Sequence, residues 1–119
     1  MLSLSSASRY HFYRGVTDFR KGFDGLSGII RGELGRDPFQ GDIFIFLNRK
    51  RNQIKLLHFE GDGFSLYHKR LEGGTYEIPG AAAGVHSVEM SSQELLLILG
   101  GISLKSVERR KRFSLKKSA

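Results

Sequence analysis

Cysteine is absent from the 119 residues. That excludes disulfides, cysteine-ligated zinc, iron–sulfur clusters and thiol nucleophiles. Long apolar runs are also missing. The longest lie at residues 43–47 and 95–99, far below the roughly 20 residues a membrane helix needs. The first eight residues are serine-rich and have no basic stretch leading into an apolar one, so no secretory signal is expected. Nor is there a Gly-Lys-Ser/Thr phosphate loop or a nucleophile elbow. The expectation is a soluble cytoplasmic protein, with nucleoid association open, no membrane contact and no cofactor.

What is present fits a single globular domain: 39% hydrophobic and 26% charged residues, over a length able to bury roughly two-thirds of its unfolded surface. The charge is unevenly placed. Nineteen Lys and Arg face twelve Asp and Glu, for a net charge of +7. Residues 105–119 carry seven cations and one carboxylate, so the tail alone holds +6 and residues 1–104 hold +1. The expected organisation is a nearly neutral folded body over 1–104 and a flexible basic tail over 105–119. In the tail, Arg109, Arg110, Lys111 and Arg112 form an arm suited to a polyanion. The rival reading is a solubilising end.

Periodicity gives the elements. Residues 9–14 alternate as a short strand with Tyr10 and Phe12 on one face. Asp18 is a candidate N-cap for a helix starting near Phe19, whose stripe is Phe23, Leu26, Ile29, Ile30 and Leu34, with Gly35 and Pro38 as stops. Gly22, Gly25, Gly28 and Gly32 recur in the same helix, each costing about 1 kcal/mol against alanine. Close packing of that backbone on the sheet is the expected reason, ahead of a partner or a phosphate backbone.

Residues 42–47 are apolar on both faces, as a central strand is. Residues 48–52 form a hairpin loop, 53–59 the return strand and 64–70 a third strand beyond a second turn. Short strands are expected at 76–78 and 85–90, with residues 80–84 as a connector between them. Ser91 and Glu94 match a capping box ahead of a helical face at Leu95, Leu96, Ile98, Leu99 and Ile102. The fold class is α+β: an antiparallel sheet in meander order, about two helices, and a basic C-terminal tail.

Chemistry-bearing residues are sparse. His11, His58, His68 and His86 make no helical metal pair; His58 and His68 could be neighbours across the second hairpin, but no third ligand stands out. Asp18, Asp24, Asp42 and Asp62 each sit beside a turn or helix start, where aspartate has capping and turn roles. No catalytic or metal-binding residue is expected.

The hairpin tip is more informative. Arg49, Lys50 and Arg51 place three cations at the end of a two-stranded ribbon, followed by Lys55 on the return strand and Lys69 and Arg70 on the third. Such ribbons reach phosphates and guanine edges in the major groove, whereas the bland reading is a solvated loop. Arg20 and Lys21 complete the candidate nucleic-acid surface, although cations at a helix start oppose its dipole.

These residues also carry a resemblance. The stretch at 13–26 (YRGVTDFRKGFDGL), the stretch at 42–51 (DIFIFLNRKR) with Ile54, Lys55, Leu56 and Leu57 after it, and the segments at 61–64, 69–74 and 95–102 occur in order. Together they resemble the TnpB accessory proteins of the bacterial insertion-sequence group numbered sixty-six, over roughly residues 9–104. The resemblance implies a part in transposition of a bacterial insertion sequence, beside a separate transposase that carries the strand chemistry. It assigns no site residues, and the tail lies outside it. The leading expectation is a non-catalytic accessory factor that binds DNA, the transposase–DNA complex, or both. The alternatives are a module docking on the transposase without DNA contact and a small metal-dependent nuclease using Asp18, Asp24 or Asp62.

Overall fold

A computed structural model describes residues 4–80, 83–102 and 104. The basic tail and residues 81–82 of the connector lie outside the described residues. Five strands form one sheet: β1 (Tyr10–Val16), β2 (Ile43–Leu47), β3 (Gln53–Phe59), β4 (Phe64–Arg70) and β5 (Ser87–Met90), in spatial order β4-β3-β2-β1-β5. Helix α1 (Phe23–Gly32) and a short 3-10 turn (Pro38–Gln40) connect β1 to β2; helix α2 (Ser92–Gly100) follows β5. The fold is α+β, with a mostly antiparallel sheet and two helices.

The sheet departs from a pure meander at two places: β1 pairs with β2 in parallel, and β5 pairs antiparallel with β1 rather than with β4. Strands β2, β3 and β4 pair antiparallel, as their hairpins require, but β1 runs parallel to β2, with Tyr10 opposite Ile43 and Phe12 opposite Ile45. A parallel neighbour needs a long crossover, and α1 supplies it. This pairing makes β2 the middle strand. All five of its residues are buried, which accounts for its unbroken apolar run.

The pleat sorts side chains into two cores. One face carries Tyr10, Phe12, Ile43, Ile45, Ile54 and Leu56 against Leu95 and Ile98 of α2. The other carries Phe44, Phe46 and Leu57 against Leu26 and Ile30 of α1. Each such side chain, fully buried, contributes roughly 1.5–3 kcal/mol. His11 enters the second face, stacked on Phe44 at 5.1 Å, with its Nε2 2.7 Å from Asp42 Oδ2; this ties β1 to the start of β2.

Helix α2 is built as expected. The Ser91 hydroxyl accepts from Glu94 N–H, the Glu94 carboxylate accepts from Ser91 N–H, and Gly101 closes the helix in the left-handed conformation.

Four expectations need correction. Helix α1 begins at Phe23 rather than near Phe19, and its N-cap is Gly22 with no side-chain bond. Asp18 instead accepts the Arg20 backbone N–H in a turn before the helix. The helix glycines do not face the sheet: a Cβ added at Gly22, Gly28 or Gly32 meets nothing within 4 Å, and one at Gly25 meets only the flexible side chain of Lys21. Residues 76–78 are not a strand, although Tyr76 is buried and its N–H donates to the Arg51 carbonyl. Finally, the ladder sets His58 opposite Ser65 and His68 opposite Lys55, so the two histidines do not pair.

Candidate nucleic-acid interface

The parallel pair determines where the surface forms. Both β1 and β2 end at the same edge, with Val16 opposite Leu47, and Thr17 N–H donates to the Leu47 carbonyl. The chain after β1 therefore runs beside the β2–β3 hairpin loop. Between them lies a groove of about 800 Å³, walled by Thr17, Asp18 and Arg20 on one side and Asn48, Arg49 and Lys50 on the other. Clefts outside the carboxyl ends of parallel strands are an ordinary place for ligands.

The hairpin loop is held by its own hydrogen bonds. Arg51 N–H donates to the Asn48 carbonyl at 3.0 Å, and the Asn48 side chain bridges Asn52 Oδ1 and Gln53 N–H at 2.7 and 2.9 Å. Arg51 closes the turn at φ 57°, among the described residues the one non-glycine with positive φ. Its carbonyl accepts from Tyr76 N–H. Arg49, Lys50 and Arg51 are all exposed, and none has a carboxylate within ion-pair distance among the described residues.

The opposite wall is anchored from beneath. Lys55 is 5% exposed, and its ammonium donates to the carbonyls of Phe19 and Lys21 at 2.9 and 2.8 Å, 4.8 Å from the centre of the Phe19 ring. Burial lowers the Lys55 pKa, with the Asp18 carboxylate opposing that shift. His68 stands edge-on to Phe19 at 5.5 Å and bonds Gln53; burial, then the Lys55 charge, lowers its pKa.

Among the predicted contacts, then, Lys55 is a correction. It is an internal strut whose hydrogen bonds are spent on backbone, and it does not reach the surface. Arg20 is exposed but gripped by Asp18 through three side-chain hydrogen bonds of 2.6 to 3.1 Å. These bonds hold the Asp18 carboxyl at about 2.

Lys21 is exposed with a free ammonium among the described residues. Arg70 lies opposite Gln53 and pairs with Glu72; Lys69 lies opposite Ile54, on the face that α2 covers. The structure therefore brings together Arg20, Arg49 and Lys50 at one groove, with Arg51 beside them, and separates Lys55 and Lys69 from it. Arg109, Arg110, Lys111 and Arg112 lie outside the described residues.

The sequence reading missed Thr17, Asn48, Asn52 and Gln53. The asparagines flanking the basic trio were a usable signal, since asparagine side chains build turns. Thr17 is 2% exposed, and among the described residues its hydroxyl has no hydrogen-bond partner. The carboxylates considered for metal chemistry do not converge: Asp18 lies at the groove, while Asp62 lies in the β3–β4 turn at the far end of β3. Among the described residues, no three histidines or carboxylates cluster as metal ligands.

The groove thus joins two segments that lie thirty residues apart in the chain and that both carry the family resemblance. A family profile described as "IS66 Orf2 like protein" matches residues 8–109. The chain belongs to the IS66 Orf2-like family. Its place is with the accessory proteins of insertion-sequence transposition. Two curated relatives, both from Sinorhizobium fredii, carry the names uncharacterized protein y4jC and uncharacterized protein y4hO. The first is 32% identical over 93 residues, covering 78% of each chain. The second is 31% identical over 102 residues, covering 86% of this chain and 87% of the relative. No solved structure matches. Among the described residues, no helix is long and apolar enough to cross a membrane.

Proposed function

We propose that this IS66 Orf2-like protein is a non-catalytic accessory factor that contacts DNA in the transposition assembly. The hairpin tip and groove bind the duplex, and the basic segment at 105–119 adds an electrostatic arm. The observation that carries this reading is the contrast among the cations. Arg9, Arg20 and Arg70 are neutralised by Glu89, Asp18 and Glu72, while Arg49, Lys50 and Arg51 stand exposed on an ordered turn and, among the described residues, unpaired. Ordered, unpaired cations are what a phosphate backbone recruits. The transposase of the same element is the proposed protein partner, in the cytoplasm or at the nucleoid.

Fluorescence anisotropy across a salt series tests the reading. It compares the full chain, a chain ending at Leu104, and the Arg49/Lys50/Arg51→Ala variant on element-end and scrambled duplexes. Neutralising about six phosphates gives a log–log salt slope near −5. The expected result is a slope of that steepness for the full chain and a weaker, shallower response from both variants. No binding at low salt overturns DNA contact and leaves a module that docks on the transposase; a pull-down that survives nuclease then identifies it.

A further inference from the structure

The end of the sheet opposite the basic tip has a different chemistry. Seven residues of β3 separate the two ends, about 20 Å at strand rise. There Phe39 of the 3-10 turn, Phe59 at the end of β3 and Phe64 at the start of β4 close a triangle, with ring centroids 5.0 to 5.1 Å apart. Phe39 is 49% exposed. A third of the way into its own chain the protein shows what such a ring accepts: the Arg31 guanidinium lies over Phe39, 5.5 Å from the centroid.

Carboxylates flank the three rings along the chain. Asp37 stands two residues before Phe39, Glu60 follows Phe59, and Asp62 is in the turn leading to Phe64. All three are exposed, and none is in an ion pair among the described residues. The Asp37 carboxylate accepts the Phe39 N–H and the Gln40 side chain, and these bonds lower its pKa, so it stays charged.

We propose that the Phe39–Phe59–Phe64 triangle and its flanking carboxylates form a docking site for an arginine-bearing segment of a partner protein. Charge complementarity selects the occupant. An apolar patch alone accepts any hydrophobic segment, but Asp37, Glu60 and Asp62 favour a cationic one over a phosphate backbone, with Arg31 over Phe39 offsetting only one of the three charges. Arginine is preferred to lysine because its planar, weakly hydrated guanidinium stacks on aromatic faces while bonding carboxylates. The two ends then divide the work: the cationic tip faces nucleic acid, and the acidic aromatic end faces protein.

The test uses the full chain and fluorescent synthetic peptides of equal length and charge, one alternating Arg and Leu, the other Lys and Leu, at physiological salt. The expected result is Arg-peptide binding at least fivefold tighter than Lys-peptide binding. Phe39→Ala, at an exposed position, is expected to weaken it tenfold. Glu60→Gln with Asp62→Asn does the same without touching an aromatic side chain, and Arg49/Lys50/Arg51→Ala leaves it unchanged. Equal affinity for the two peptides, or binding indifferent to both the Phe39 and the carboxylate variants, overturns the proposal. So does a single-stranded oligonucleotide that displaces the peptide from the triangle, since this makes the rings a base-stacking surface. Because the tip variant is read separately on duplex DNA, failure here is distinguishable from failure of DNA contact.

Discussion

The Lys55 ammonium lies 2.9 Å from the carbonyl oxygen of Phe19 and 4.8 Å from the centre of its ring. One buried cation thus holds one wall of the groove to the strand that forms the other wall's hairpin. Lysine can do this because its stem spans the packed interior while two of its donors meet the Phe19 and Lys21 carbonyls that the late start of α1 leaves open.

Replacing it tests the strut. Lys55→Met keeps the stem but leaves the Phe19 and Lys21 carbonyls without their donor. Hydrogen bonds to a charged group are worth about 1.5–3 kcal/mol, and a loss of that size is expected in urea denaturation. Amide exchange at residues 17–21 should rise more than exchange in β4.

If the groove binds DNA as proposed, the Asp18–Arg20 pair opposes it. Asp18→Asn removes a negative charge from the groove and frees Arg20. Duplex affinity at low salt should rise about threefold to tenfold, with a steeper salt slope. An unchanged slope would show that Arg20 does not face phosphate.

The same carboxylate sets an acid dependence. The Arg20 side chain, then its backbone N–H, holds Asp18 at about 2, below the ordinary 3.8. A carboxyl depressed in the folded state binds fewer protons than in the unfolded chain. Its stabilisation is therefore complete above pH 3.8 and disappears as pH falls toward 2. Melting temperatures of the wild type and Asp18→Asn should differ at pH 5 and converge at pH 2.

Arg51 sits at φ 57°. The left-handed region costs an L-residue roughly 1–2 kcal/mol, which glycine avoids. Arg51→Gly should be more stable than Arg51→Ala by up to about 1 kcal/mol in thermal or chemical denaturation. Both should lower the salt slope by about one unit, since each removes one cation.

The α1 glycines give the simplest test of a free face. A Cβ at Gly28 or Gly32 meets nothing. Gly28→Ala and Gly32→Ala should each stabilise the protein by about 0.5–1 kcal/mol. If DNA or transposase binding falls while stability rises, that helix face is a contact surface.

Much of the fold was legible because local forces write it into neighbouring residues. Alternation marked β3 and β4, two apolar faces marked the central β2, and Ser91 with Glu94 marked the start of α2. The cations at 49–51 were legible as a surface tip because turn residues flank them. The glycine face was not, since residue spacing says which side chains share a stripe and not which stripe the sheet covers.

By itself, then, the sequence determined β2, β3, β4 and α2, the hairpins, the basic tip and the family resemblance. Tertiary structure alone decided that β1 pairs parallel with β2 and that the segment after it lines a groove with residues 48–50. It also decided that Lys55 turns inward and that Phe39 joins Phe59 and Phe64. The physical reason is range. Caps, turns and alternation depend on residues a few positions apart, whereas these contacts join groups 20 to 36 positions apart whose meeting depends on how the whole sheet is ordered.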